Sequence, residues 1–167
     1  MASEEHQDKS VAAKAVWPLL FLTAGLHAYV GLSSVAYVFM GVSNPASGLG
    51  GWTVATTGGL QSVAAVAAFV LAARRDLRGA TLAVAGCIML GWFSTLPSVV
   101  AQGLDFRGDD RITPVYFVVS PLIAILAATL AWRNEYPIAA ALIVTATTFA
   151  GILVVIAFAI VIAMYGF

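Results

Sequence analysis

The sequence predicts an all-α, polytopic integral membrane protein built as a bundle of five transmembrane helices. Three observations predict it. Of 167 residues, 61% are hydrophobic and only 10% are charged. A soluble domain holds about 45–50% apolar and about 25% charged residues, and a chain of this size cannot hide such a surplus from water. The apolar residues fall in five runs, each long enough to cross a hydrocarbon core ~30 Å thick as a helix. All eight Lys and Arg and all eight Asp and Glu lie outside those runs. Alternating strand patterning is absent, so helices are the only spanning structure available.

The polar stretch 1–14 reads as a cytoplasmic tail, and residues 15–167 as a single membrane domain. The first span covers about Ala15 to Gly41 and the second about Trp52 to Ala73. Between them, Gly41-Val42-Ser43-Asn44-Pro45-Ala46-Ser47-Gly48 reads as a loop. The third span covers about Gly79 to Ala101, after the charged turn Arg74-Arg75-Asp76-Leu77-Arg78. The fourth covers about Thr113 to Trp132, after a polar loop from Asp105 to Arg111. The fifth covers about Pro137 to Tyr165, after the turn Arg133-Asn134-Glu135-Tyr136. Ser34-Val35-Ala36 loosely resembles a signal-peptidase site, and cleavage there would leave four spans. The apolar run continues unbroken to Met40, so the span is expected to stay.

Basic residues set the expected orientation. With the N-terminus in the cytoplasm, the inner segments carry six: Lys9, Lys14, Arg74, Arg75, Arg78 and Arg133. The outer loops carry two, Arg107 and Arg111. The C-terminus is therefore expected outside. Trp17, Trp132 and Tyr136 fall at the inner ends; Tyr37, Trp52, Tyr116 and Tyr165 fall at the outer ends, where aromatic anchors belong. The wealth of Ala, Val and Gly suits a bacterial inner membrane.

Helices in lipid associate through small residues that let backbones approach. The first span offers Ala24, Ala28 and Gly31. The second offers Gly58 with Ser62, and Ala64, Ala68 and Ala72. The third has the longest stripe, Ala83, Cys87, Gly91 and Thr95, which places it at the bundle centre. The fourth offers Ser120, Ala124 and Ala128; the fifth offers Thr147 with Gly151, then Ala159 with Ala163. Pro97 and Pro121 each remove a backbone hydrogen bond inside a span and free a carbonyl.

An ionisable residue inside a span is a functional hypothesis, and the one such residue is His27. Together with Gln61, Trp92, Thr95, Ser120 and Thr147 it defines a candidate midplane pocket for a lipophilic ligand. The competing expectation is that His27 bonds a neighbouring helix and fixes packing. No cofactor is expected. A haem would need an axial histidine, for which His27 is the candidate, paired with Met89 or with a second copy; a quinone is a further alternative.

Several chemistries lack their residues. No carboxylate lies within a span for proton or sodium coupling, and no lysine for a Schiff base. One cysteine, Cys87, allows no intrachain disulfide, CxxC pair or cysteine zinc site. Gly-x-Ser-x-Gly, His-Glu-x-x-His and phosphate-loop motifs are absent. Asp105, Asp109 and Asp110 lack the spacing of a calcium loop and interleave with Arg107 and Arg111, as in a solvated, self-paired loop. A formal net charge of zero gives no attraction to nucleic acid. The expected partners are the bilayer and other membrane subunits or further copies of the chain.

Five spans in about 160 residues resemble the general format of the tryptophan-rich sensory proteins of the translocator family. That family's proline- and tryptophan-rich first loop is missing, since the loop here carries only Pro45, so no family is assigned. The leading functional expectation is a non-catalytic accessory or scaffold subunit, or a small oligomeric membrane protein. A small-molecule binder or transporter and an electron-transfer subunit are the alternatives.

Overall fold

The computed structural model describes the backbone of residues 2–39, 48–104 and 112–165. These form five helices: α1 (Ala2–Phe39), α2 (Leu49–Ala73), α3 (Leu77–Gln102), α4 (Ile112–Arg133) and α5 (Pro137–Tyr165). No strand occurs among the described residues. Four stretches are long and apolar enough to cross a membrane: Ala13–Ser33, Leu49–Ala73, Leu77–Ala101 and Pro114–Arg133. In α5 the apolar segment Pro137–Leu153 is shorter. The molecule is an all-α membrane bundle. Gly41 to Ser47 and the loop bearing Asp105, Arg107, Asp109, Asp110 and Arg111 lie outside the described residues.

Helix boundaries depart from hydropathy where local chemistry extends them. The polar stretch from Ala2 to Lys14 is helical and continuous with the first span. Backbone bonding starts α2 before its apolar run, with Trp52 N donating to Gly48 O at 3.1 Å. Asp76 starts α3 two residues before Gly79, because its carboxylate accepts from Gly79 N at 2.9 Å as an N-cap.

The turn from α2 into α3 is a Schellman closure. Asp76 N donates to Leu71 O and Arg75 N to Ala72 O. Its left-handed position, usually glycine, is Arg75 at φ 61°. A left-handed residue with a Cβ costs about 1–2 kcal/mol. Asn134, at φ 56° in the α4–α5 turn, is a residue type that tolerates this region better.

Consecutive helices pack as neighbours, α5 closes back on α1, and α3 alone touches all four others. The centre is small-residue packing around a few branched side chains. Leu20, Val84 and Val144 are fully buried, surrounded by Ala24, Ala68, Ala80, Ala124, Ala127 and Ala141. Large residues such as Leu22, Val63, Leu122 and Ile125 face outward, where lipid solvates them.

The small-residue stripes are used unevenly. Ala24, Ala28, Gly31, Ala68, Ala72, Cys87 and Ala124 are buried as expected of packing faces. In α4 the buried face then moves to Ala127 and Ala131, away from Ala128. In α5, Gly151, Ala159 and Ala163 are exposed, and the inward face is Ala140, Ala141, Val144 and Thr145. In α4 the reason is geometric: at 3.6 residues per turn a four-residue repeat drifts about 40° per step, so the buried face alternates steps of four and three through Ser120, Ala124, Ala127 and Ala131.

One end of the bundle is clamped by aromatic and basic residues. Trp17 Nε1 donates to Ala72 O at 2.9 Å, tying the start of the apolar stretch of α1 to the end of α2. Arg78 Nη2 donates to Trp132 O at 2.8 Å, tying the start of α3 to the end of α4. The guanidinium groups of Arg75 and Arg78 lie over the Trp17 and Trp132 rings at 5.3 and 5.7 Å.

Candidate functional site

The six candidate residues are distributed over three helix seams. His27 lies on the α1–α5 seam, with Nε2 3.1 Å from Thr148 Oγ1. Thr148 Oγ1 already donates to Val144 O at 3.0 Å. A hydroxyl has one proton: with that bond made it accepts from the Nε2–H tautomer of His27, and in the other tautomer its proton turns to Nε2 instead. One turn nearer the clamped end, Thr23 Oγ1 donates to Leu19 O at 2.8 Å and lies 3.4 Å from Thr145 Oγ1. Both Thr23 and Thr145 are buried. The seam is thus a short polar ladder of Thr23, His27, Thr145 and Thr148. Thr147, the candidate on α5, bonds its own helix at Ile143 O instead.

Gln61 lies on the α2–α3 seam, over Gly91. A Cβ added at Gly91 would sit 3.4 Å from Gln61 Nε2, so the missing side chain makes room for the amide. The buried Cys87 thiol lies 3.9 Å from the Gln61 carbonyl oxygen.

Trp92 lies on the α3–α4 seam, and its indole Nε1 donates to Phe117 O at 2.8 Å. Phe117 stands four residues before Pro121, whose missing N–H would otherwise bond that same carbonyl. The indole replaces the lost helical donor. The Trp92 ring also packs against Phe93 and Phe117, with centroids 5.0 and 5.2 Å away. Thr95 Oγ1 donates to Trp92 O at 2.7 Å. Ser120, 2% exposed, has no hydrogen bond of ordinary geometry at Oγ; its polar neighbour is Tyr116, one turn earlier.

The contacts therefore join His27 to Thr148, Gln61 to the Gly91 face and Trp92 to the carbonyl opposite Pro121. Sequence reasoning did not single out Thr148 or the Thr23–Thr145 rung. Matched depth was the signal available for both, and depth alone does not say which helix a residue faces. Thr23 and His27 lie nine and thirteen residues past Lys14, and Thr145 and Thr148 eight and eleven past Pro137. At 1.5 Å per residue these are matched heights.

Ser62 adds a polar contact across the α1–α2 seam, its Oγ 2.9 Å from Gly31 O and also 2.9 Å from Gly58 O on its own helix. Gly31 is needed there, because a Cβ on it would stand 3.0 Å from Ser62 Cα. No cluster of three or more His, Cys, Asp or Glu suited to a metal occurs among the described residues. Comparison with protein-family models, curated proteins and solved structures gave no match.

Proposed function

We propose that this chain is a non-catalytic membrane component, an accessory or scaffold subunit or a small self-associating protein of a bacterial inner membrane. The observation that carries this reading is the use of the polar groups at mid-depth. His27, Trp92 and Ser62 each bond a neighbouring helix of the same chain, which is what packing requires. Small residues left on the outside give the reading its partner face. Gly151, Ala159 and Ala163 are exposed on α5, and open space surrounds the Cβ position of Gly151. The six-to-two distribution of basic residues supports an N-terminus in the cytoplasm and a C-terminus outside.

The test is purification in mild detergent followed by native mass spectrometry from nanodiscs. The expected result is a co-purifying subunit or a homo-oligomer, lost on Gly151→Leu or Ala159→Leu and kept on Gln61→Leu. A clean monomer carrying a small molecule, with affinity lost in His27→Ala and Gln61→Leu, overturns the reading in favour of a lipophilic-ligand binder or transporter. A Soret band or a bound quinone that depends on His27 overturns it in favour of electron transfer.

A further inference from the structure

The clamped end of the bundle holds a feature that the packing of the helices does not use. A cavity of about 420 Å³ opens there, lined by Ala13, Lys14, Trp17, Arg75 and Leu77. Its volume falls within the range of small-ligand sites, about 300–1,000 Å³. Two of its five lining residues are cationic. Among the described residues neither Lys14 nor Arg75 makes an ion pair, and the carboxylate next to Arg75, Asp76, is engaged as the N-cap of α3.

Arg75 occupies the left-handed position of the Schellman turn at φ 61°, where glycine would relieve the strain. That backbone conformation accompanies a side chain laid over the Trp17 ring at 5.3 Å. Stacking on one face leaves the edge N–H groups of a guanidinium free, and those match the oxygens of a phosphate in a bidentate pair. Trp17 is itself held by its bond to Ala72 O, so the platform is rigid.

Depth identifies the source of the phosphate. The cavity sits where the apolar stretch Ala13–Ser33 begins and where Leu49–Ala73 has just ended. That is the level of lipid headgroups, with a tryptophan at the level where amphipathic rings gather. Ala13 and Leu77 supply apolar wall, and Lys14 and Arg75 supply charge.

We propose that this cavity is a binding site for the phosphate of an anionic phospholipid headgroup, held by Lys14 and Arg75 over Trp17. It is independent of the partner face on α5.

The test uses the full chain in nanodiscs of phosphatidylcholine doped with phosphatidylglycerol, with retained lipid read by native mass spectrometry. The wild type is expected to retain phosphatidylglycerol over phosphatidylcholine. Arg75→Gly keeps the turn, because glycine suits the left-handed position, and is expected to weaken retention about fivefold; Lys14→Ala is expected to do the same. Arg74→Ala, adjacent but outside the cavity, should have a smaller effect. Retention unchanged in both Arg75→Gly and Lys14→Ala overturns the site. Glycerol phosphate in solution displacing the lipid at equal concentration overturns the lipid as its source.

Discussion

The bond between Trp92 and the carbonyl opposite Pro121 makes a quantitative prediction. Trp92→Phe keeps an aromatic ring beside Phe93 and Phe117 but removes the indole donor that stands in for the N–H that Pro121 lacks. A buried carbonyl left without its donor costs about 1–3 kcal/mol, and lipid offers no water to replace it. Trp92→Phe should therefore destabilise the bundle by about 1–3 kcal/mol. Pro121→Ala restores an N–H on α4 that can bond Phe117 O from within the helix. Its effect should depend on background: it should be more favourable in Trp92→Phe than in the wild type, where the carbonyl is already satisfied. Reversible unfolding in mixed micelles, run on both single variants and the double variant, measures the coupling. About 1 kcal/mol or more of non-additivity is expected. Strict additivity would mean that the indole bond and the proline are unrelated, and the reasoning would fail.

Three further predictions use the same unfolding assay. Gly31→Ala should cost about 1–3 kcal/mol by overpacking, since its Cβ would meet Ser62 Cα at 3.0 Å, whereas Gly58→Ala meets nothing within 4 Å. Equal effects at the two glycines would refute the close α1–α2 approach. Asp76→Ala should cost about 0.5–2 kcal/mol by loss of the α3 cap, with Asp76→Asn retaining most of it; an equally unstable Asn variant would show that capping is not its contribution. A double-mutant cycle on His27→Leu and Thr148→Val should give a coupling of about 0.6 kcal/mol, the ordinary value for polar contacts between membrane helices. A coupling near zero would remove this bond from the account of the α1–α5 seam.

The helices were legible in the sequence because lipid imposes one rule on the whole segment. An uncharged apolar run must satisfy its backbone internally, so length and composition place the helix ends within a few residues, except at the start of α1, where the polar stretch from Ala2 to Lys14 continues the helix outward. What composition does not carry is azimuth. His27 and Gln61 have similar polarity and depth, yet one meets α5 and the other lies over Gly91 on α3. The small-residue stripes fail in a related way. Ala124 is buried but Ala128 gives way to Ala127 and Ala131, because the repeat of the letters and the turn of the helix differ by four-tenths of a residue. Trp92 was legible as an anomaly, a tryptophan away from the interfaces. Its explanation needed a second span: it lies fifteen residues past Leu77, and Phe117 lies sixteen before Arg133. Both are about 22–24 Å from the clamped end.

The basic residues at that end carry two duties that a topology experiment must separate. They form the majority side of the charge bias, and some also hold helices together. Arg78 bonds Trp132 O and lies over its ring, while Arg75 closes the α2–α3 turn and covers Trp17. Neutralising either one changes packing along with charge, so a misplaced terminus in such a variant would not isolate the bias. Arg74 and Arg133 are exposed basic positions outside both stacking pairs. Replacing those two while adding lysines to the loop that holds Arg107 and Arg111 alters the count and spares the clamp. Cysteine accessibility at an added terminal cysteine, in a Cys87→Ala background, reads the result. If charge bias sets the orientation, the terminus changes side in part of the population and the correctly inserted fraction unfolds as the wild type does. A terminus that stays in place as the bias is reversed would show that the helices, through contacts such as Trp17 with Ala72, set the topology themselves.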